Sequence, residues 1–460
     1  MMTELSILAG TRAPAAFLVH PADEAEIEGY RRLRREAFVV EQGLFARTDH
    51  DDIDDDPRAV VLVAVGPDGR VLGGVRLAPV GAVDLGWWTG SRLVADPAAP
   101  SGVGPALIRA ACAHAESVGV LRFEATVQRR YVQMFAALGW QTLGDTEVAG
   151  RPHVWIRWPL NPFRALASAT KEFLGPSLAP LRSVTGGLGP AGFLGDDGAP
   201  VTGTDLIAAC DAIIPSMVER DPEWAGWCSV LVNVNDLTAM GAEPVGLLDA
   251  VGAPTRALLD RVLSGVAAAS RAWDVPVLGG HTQLGVPAAL AVTALGRTPA
   301  PVPGGGGRPG DSVGLTADLT GRWRPGYTGR QWDSTSMRDG ADLRAMTGLV
   351  AAMQPHAAKD VSMAGIVGTL GMLAEASGTG AELDVAAVPR PADAPTGSWL
   401  TCFPGYAMLT AGARNTTAAP RGVQTAACGS LTATPGVRLR WPDGTTTTVL
   451  ASPVTGLGAA

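Results

Sequence analysis

The chain has 460 residues, 47% of them hydrophobic, and a formal net charge of -8 at pH 7. That length suggests about three domains and an apolar share ample for full-sized cores, while the acidic balance and the lack of a basic stripe exclude a nucleic-acid-binding surface. No apolar run reaches the roughly 18 residues of a membrane span and no basic-then-apolar leader opens the chain, so a soluble, cytoplasmic protein without a membrane partner is expected.

Five scattered cysteines, Cys112, Cys210, Cys228, Cys402 and Cys428, read as buried small hydrophobes in a reducing compartment. From Glu24 to Gly43, EAEIEGYRRLRREAFVVEQG sets Ile27, Tyr30, Leu33 and Phe38 at helical spacing and predicts an amphipathic helix. The next block, RTDHDDIDDDPR (47–58), is crowded with carboxylates. It lacks the central glycine and closing glutamate of a helix–loop–helix calcium site, so a solvated loop is expected. AVVLVAVGPDGRVLGGVRLAPV (59–80) predicts two strands joined at Pro67-Asp68-Gly69. A further strand ends near Val94, and after Pro97 and Pro100 the run Gly102-Val103-Gly104 opens an alanine-rich helix. Glycines at a helix start let backbone N–H groups approach an anion that the helix dipole favours.

With the strand LRFEATV (121–127) and the segment MFAALGW (134–140), this order of elements resembles the GNAT acetyltransferases over residues 15–160, and LRREAFVVEQGLF (33–45) resembles the start of several members. The resemblance implies acetyl-CoA bound by Val94, Ser101, Gly102, Val103 and Gly104. It also implies that Glu41 takes a proton from an incoming amine. Two positions depart from the family pattern: Ala99 stands where Gln or Arg is usual, and Phe135 where many members carry the tyrosine that protonates the departing thiolate. Phenylalanine donates no proton, which leaves Tyr131, water, or no catalysis at all. Two readings of this region therefore stay open: an N-acyltransferase, or a module that only binds CoA or a partner. For Glu41 the structural alternative is a salt bridge with neighbouring arginines.

The stretch 161–192, NPFRALASATKEFLGPSLAPLRSVTGGLGPAG, mixes a short helical piece with proline and glycine clusters and reads as a domain junction, with a linker at 161–185. Beyond it VLVNVNDLTAMGAEPVGLLDAV (230–251) is an apolar run interrupted by Asn233, Asn235 and Asp236. An unpaired buried charge costs an amount on the order of the whole folding margin, so a bound cation is the simplest neutraliser. Gly195-Asp196-Asp197-Gly198 upstream and Lys359-Asp360-Val361-Ser362 downstream supply further carboxylates. Oxygen donors set among glycines, without Cys or His pairs, suit Mg2+ carrying a phosphate rather than zinc. Each aspartate taken alone reads equally well as a turn or helix cap.

Residues 255–275 predict an amphipathic helix, and VPVLGG (275–280) a buried strand with His281-Thr282 at its tip. TPAPVPGGGGRPGD (298–311) reads as a connector, MAGIVGTLGMLAEASGTGAELDV (363–385) as a helix ending at Gly378 before a strand, and the stretch 425–450 as a terminal hairpin without a catalytic task.

GDDGAPV (195–201), ACDAIIP (209–215), NVNDLTAMGAEP (233–244), LGGHTQ (278–283), AKDVSMAGIVG (358–368) and FPGYAML (403–409) resemble, in that order, the aminoimidazole-ribonucleotide-synthetase superfamily over about residues 185–455. That group includes thiamine-monophosphate kinase, selenophosphate synthetase and a hydrogenase-maturation protein. The resemblance implies a first lobe at 186–305 that holds metal and ATP and pairs with a second copy as a homodimer, and a second lobe at 306–460. It implies Asp196, Asp197, Asp211, Asp236 and Asp360 as metal ligands, Asn233, Asn235, Gly279, Gly280, Thr282 and Gly365 as nucleotide-binding residues, and His281 as catalytic. His281 replaces the aspartate of thiamine-monophosphate kinase, and Gly365 is what remains of a phosphate-wrapping glycine pair. Selenophosphate synthesis is not expected: no Cys or Lys precedes GDDGA in the arrangement of that enzyme, Lys171 being isolated.

The expected fold class is thus α/β and α+β multidomain, a GNAT fold followed by a two-lobed synthetase-like α/β fold. The expected function is bifunctional: acetyl-CoA-dependent N-acyl transfer joined to ATP- and Mg2+-dependent phosphoryl transfer onto an amide or carbonyl oxygen of a small nitrogenous metabolite. The whole-chain order also resembles a fusion family associated with nitrilase-containing gene clusters, which implies such a substrate. A third reading makes both halves an assembly component.

Overall fold

The computed structural model describes residues 16–460, and the expectation that no leader opens the chain falls on residues 1–15, outside those described. The chain divides into two compact units: unit 1, up to Leu160 with Pro395–Gly397, and unit 2, Asn161–Ala394 with Ser398–Ala460. Among the described residues no helix is long and apolar enough to cross a membrane.

Unit 1 contains β1 (Leu18–Pro21), α1 (Glu24–Arg34), β2 (Val60–Val65), β3 (Val71–Pro79), β4 (Trp87–Ala95), α2 (Val103–Ser117), β5 (Arg122–Gln128), α3 (Val132–Ala137), β6 (Gln141–Val148) and β7 (Arg151–Trp158). The strands form one sheet in the order β1-β2-β3-β4-β5-β7-β6. It is antiparallel except where β4 runs parallel to β5. α1 begins where Asp23 accepts from the Glu26 backbone N–H (2.8 Å) and Glu26 accepts in return from that of Asp23 (2.9 Å), a capping box that satisfies two end donors. Its continuation over Arg35–Glu41 is wound as a π-helix rather than as the uniform helix expected.

The acidic block is not a solvated loop. Arg34, 2% exposed, donates to Asp49 at 2.6 Å and Asp54 at 2.5 Å. Arg76, 1% exposed, pairs with Asp51 at 2.6 Å and Asp54 at 2.7 Å, and Arg92 donates to Asp51 at 2.8 Å. The sequence displays the carboxylates in one run, whereas their partners come from α1, β3 and β4. Burial alone would raise the Asp54 carboxyl, but hydrogen bonds from Arg34 and the charges of Arg34 and Arg76 hold it well below the usual carboxylate range. Asp51 is likewise lowered against burial, chiefly by Arg76.

Unit 2 has two large sheets and a small three-stranded one made of Arg322–Trp323, Gln331–Asp333 and Phe403–Pro404. The first lobe contains β8 (Ala199–Pro200), β9 (Leu206–Ile213), α6 (Pro222–Ala239), β10 (Glu243–Ala253), α7 (Arg256–Trp273), β11 (Val277–Leu284) and β12 (Ala289–Arg297), with strand order β11-β10-β12-β9-β8. The second contains β13 (Ser312–Asp318), β14 (Ala357–Asp360), α8 (Gly365–Ala376), β15 (Gly380–Asp384), β16 (Ala407–Ala411), β17 (Val423–Thr432), β18 (Gly436–Arg440) and β19 (Thr446–Leu450), ordered β14-β16-β13-β17-β15-β18-β19. The interrupted apolar run folds as the end of α6, a turn, and β10. α6 is buried all round, its polar residues Asn233, Asn235 and Asp236 included, so it is a core helix rather than an amphipathic one.

Three sequence expectations change here. The linker folds as two helices, α4 (Pro162–Thr170) and α5 (Leu174–Arg182), and α4 buries Phe163 and Ala167 within unit 2; the unit boundary therefore falls at Leu160. The glycine run 304–307 is no loose connector: a side chain at Gly305 would strike the Ala376 carbonyl and one at Gly306 that of His356. β11, expected to be buried, is an exposed edge strand, with Leu278 60% exposed. Apolar runs mark strands that need covering without saying what covers them. Cys210 is likewise exposed, whereas the other cysteines are buried.

Arg34→Leu removes the shared partner of two buried carboxylates, leaving Asp54 to Arg76 and Asp49 to Arg92, and is expected to destabilise unit 1 by about 3 kcal/mol, read as lost hydrogen-exchange protection in β2 and β3 of the full chain. Because the Asp51 and Asp54 values are lowered on folding, their contribution is present above the unfolded carboxylate range of about 4 and is lost as pH falls below it. Acid titration followed by the same exchange measurement should show unit 1 loosening first over that range, and undiminished protection would contradict the network.

Candidate active site

In unit 2 the predicted carboxylates meet. Asp211, on β9, pairs in register with Val292, which pairs with Asp249, which pairs with Gly280. Alternate residues of a strand share a face, and in β9 that face is the buried one of Ile207, Ala209 and Ile213. There the Asp211 carboxyl lies close enough to Asp236 on α6 to raise it. Burial and the charges of Asp360, Asp211 and Asp197 push the Asp236 carboxyl well above the usual range. Burial and the charges of Asp197 and Asp211 do the same to Asp360, against pull from Lys171 and Lys359.

Lys359, on β14, organises this cluster. Its Nζ, 3% exposed as a side chain, donates to Asp196 Oδ1 and Asp197 Oδ1, each at 2.8 Å. Burial would lower this ammonium, but the charges of Asp197 and Asp196 raise it well above its ordinary value. The next residue's backbone N–H, that of Asp360, donates to Asp197 Oδ2 at 3.1 Å. Asp197 is raised, by burial first and by Asp196.

These positions fit a hard divalent cation. Two buried carboxyls, each raised by burial and by neighbouring carboxylates, favour a neutraliser, and the donors are all oxygen. Asn233 Oδ1 and Ser362 Oγ, which adjoin Asp236 and Asp360 in sequence, are buried without a hydrogen-bond partner. Among the described residues no three acidic, His or Cys side chains close into a ready-made ligand set, so phosphate oxygens would have to complete the shell. Both oxygens of Asp197 are engaged, by Lys359 and the Asp360 N–H, and so are those of Asp196: Oδ1 is held by Lys359 and the Asp197 N–H, and Oδ2 accepts from Gly304 N at 2.5 Å. Both fix the turn.

The remaining predicted residues divide. Asn235 Nδ2 donates to the Gly405 carbonyl at 3.0 Å, and Asn233 Nδ2 to that of Ser229 at 2.8 Å. His281 does not join the acids, because it pairs with Ala250 in the row of Ala291 and Ala212 and so leaves the sheet on the opposite, exposed face. Gly279, Gly280 and Thr282 lie on the same exposed strand, and the space a Gly280 side chain would fill is taken by the Asp249 carboxylate. Gly365 has φ +71, and a side chain there would strike the backbone of Leu400 and Thr401; close packing accounts for it without a phosphate. Sequence reading missed Lys359, although a lysine in the otherwise short buried strand Ala-Ala-Lys-Asp was the available signal, and missed Asp249.

Unit 1 carries a cavity of about 840 Å³. It exists because β4 and β5 pair only over Trp87–Gly90 and Arg122–Ala125; beyond that the strands part, and Ser91–Ala95 and Thr126–Gln128 line the opening. The break follows a bulge at Arg92, whose φ of +54 is strained for a non-glycine residue. Tyr30 Oη holds the Arg92 carbonyl at 2.7 Å, and its guanidinium lies 4.7 Å from the centre of the Phe45 ring. Val94, Gly104, Glu41 and Tyr131 line the cavity, whereas Ser101, Gly102 and Val103 do not. Gly102, at φ +99, caps α2; the Val103 side chain is buried in the core. Glu41 is exposed and forms no ion pair with a described residue, so the salt-bridge alternative is not what the structure contains. Phe135 packs edge-on against Trp140 at 5.5 Å.

Two α/β lobes converging on buried carboxylates define unit 2 as a nucleotide-handling enzyme domain, and comparison with known proteins specifies which. Residues 195–298 match AIR synthase related protein, N-terminal domain, and residues 338–441 match AIR synthase related protein, C-terminal domain. The chain belongs to the AIR synthase related family of ATP-dependent kinases and synthetases. It is 37% identical over 231 residues to the uncharacterized protein sll0787 of Synechocystis sp., covering 48% of this chain and 71% of that one. It is 32% identical over 203 residues to the thiamine-monophosphate kinase of Methanospirillum hungatei, covering 43% and 68%. To carbamoyl dehydratase HypE of Cupriavidus necator it is 28% identical over 203 residues, covering 41% and 58%.

Since Asp236 and Asp360 are raised on folding, the cation-free protein loses stability as pH rises through their range. MgATP should therefore raise the unfolding temperature more at about pH 8 than at about pH 5.5, and Asp236→Asn should remove that difference. Equal shifts at both pH values, measured by calorimetry, would refute the neutralisation argument.

Proposed function

We propose that unit 2 transfers the γ-phosphoryl group of ATP to an amide or carbonyl oxygen of a small nitrogenous metabolite. The observation that carries this reading is that Asp197, tied to Lys359 and the Asp360 N–H, and the buried Asp236 and Asp360 lie in one charge field with Asp211. Relatives named for kinase and for carbamoyl dehydratase activity support it. Mg2+, when bound, would neutralise the phosphates and the carboxylates together. The chain's own part is positional. Lys359 holds the Asp196-Asp197 turn, Asp197 receives the Asp360 N–H, and Asp211 and Asp236 face them from β9 and α6. Phosphorylating an amide oxygen turns it into a leaving group, which permits ring closure, amidine formation or dehydration to a nitrile.

Unit 1, in the same proposal, is a GNAT-type domain transferring an acetyl group from acetyl-CoA to an amine. Its parallel β4–β5 pair that parts to open a cavity, the bulge at Arg92 and the glycine-capped start of α2 support this reading. The second reading, a CoA- or partner-binding module, is favoured by one observation: Phe135 has no proton to give, and Tyr131 is 43% exposed. Binding of acetyl-CoA without thiol release across an amine panel would select it.

With ATP, Mg2+ and a panel of small amides, the purified chain should release ADP, and Asp360→Asn should lower the rate at least about 100-fold; absence of ADP with every acceptor would sink the proposal. The exposed β11 edge, with Val277 40%, Leu278 60% and Leu284 58% exposed, supports a homodimer through the first lobe. Leu278→Arg should then halve the mass seen in light scattering, and a wild-type monomer would rule the dimer out.

A further inference from the structure

The cavity of unit 1 contains a polar side chain that the acyl-transfer reading has not used. His153, on β7, is 4% exposed, pairs across the sheet with Gln128 of β5 and Thr146 of β6, and lines the cavity. Its Nδ1 lies 2.8 Å from the Arg151 carbonyl oxygen. A carbonyl only accepts, so Nδ1 carries the proton and the neutral ring keeps its lone pair on Nε2. Nε2 has no hydrogen bond from a described residue and is not among the sealed buried atoms. Gln128, the nearest cross-strand amide, is engaged elsewhere, donating to Gln42 Oε1 at 2.7 Å. The ring is thus held in one tautomer by a second hydrogen bond, with its basic nitrogen left for a ligand.

Glu41, the base implied by family resemblance, is exposed at the end of the π-helix and has no partner that orients it. A base oriented on a strand by a second hydrogen bond positions its lone pair better than an exposed, unpaired carboxylate does. We propose that His153 Nε2 is the general base of acyl transfer in unit 1, a step that rests on the acyltransferase reading above. The acceptor's primary amine attacks the thioester carbonyl carbon, forming a C–N bond as the C–S bond breaks. One N–H proton passes to Nε2. The departing thiolate takes a proton from Tyr131, and the imidazolium returns one to Tyr131 through solvent, so that amide and free thiol leave and both side chains are restored.

The charged or titratable groups lining the same cavity are Glu36, Glu41, Arg92, Asp96, Arg130 and Tyr131. Asp145 and Glu147 flank Thr146 on the neighbouring strand. A rate profile must therefore be compared between variants rather than read alone.

The test is thiol release from acetyl-CoA by the full chain across an amine panel. His153→Gln should lower kcat at least about 100-fold while leaving the KM for acetyl-CoA within about twofold, and should change the shape of the pH–rate profile relative to wild type. His153→Ala should regain turnover with added imidazole, in proportion to imidazole's free-base form. Acetyl-CoA binding and the unfolding temperature of each variant verify that it is folded. Near wild-type turnover and an unchanged profile in His153→Gln, or a loss found instead in Glu41→Gln with no imidazole rescue of His153→Ala, would overturn the assignment alone. A wild-type chain that binds acetyl-CoA but releases no thiol with any amine would overturn the acyltransferase reading, and this inference with it.

Discussion

The ion pair between Lys359 and the Asp196-Asp197 turn is the contact on which the arrangement of unit 2 depends. A lysine ammonium 3% exposed is tolerable only if its charge is met, and breaking such a pair by removing one partner typically costs about 3–5 kcal/mol. Here two carboxylates meet it, so the turn ahead of β8 is fastened to β14 of the second sheet. Successive strand residues face opposite ways. Lys359 is committed to the turn, and the neighbouring Asp360 carboxyl lies in the charge field of Asp197 and Asp211 and acts in turn on Asp236. One satisfied pair thereby leaves a second group of acids only partly compensated.

That surplus of negative charge is where stability and function part company. Burying Asp236 and Asp360 is unfavourable without a cation, and the pull of Lys171 and Lys359 on Asp360 offsets that cost only in part. The fold keeps them because α6 is a core helix whose apolar residues, Val230, Leu231, Val234 and Leu237, fix it firmly enough to carry the strain. Favourable apolar burial over many residues outweighs a local electrostatic cost, leaving a site whose charge a ligand can relieve.

Unit 1 solves a comparable problem differently. Its buried charges are fully matched, with Arg34, Arg76 and Arg92 met by Asp49, Asp51 and Asp54, and what it stores is backbone strain. The left-handed Arg92 would relax if it were not held at its carbonyl by Tyr30 and at its guanidinium by the acidic block. The parting of β4 from β5 begins close to that bulge, so the ion network shapes the cavity as well as the core.

Much of this was legible in the amino-acid sequence, and the boundary of what was legible has a physical cause. Local signals carried the helices at α1, α2, α7 and α8 and the β2–β3 hairpin, because periodicity, caps and turn residues act over a few positions. They also singled out Asp197, Asp236 and Asp360, since a carboxylate in an apolar or glycine-rich run is conspicuous wherever the chain takes it, whereas Asp211 was implied only by the family resemblance. What only the tertiary structure decided was pairing at long range. That Asp196 is neutralised by Lys359, that the acidic block is buried by three distant arginines, that His281 leaves its strand on the face away from the acids, and that His153 is held in one tautomer beside a cavity all follow from strand register and from side chains brought together across long separations. No window of sequence contains those partners, and the sign of each residue's environment is set by them.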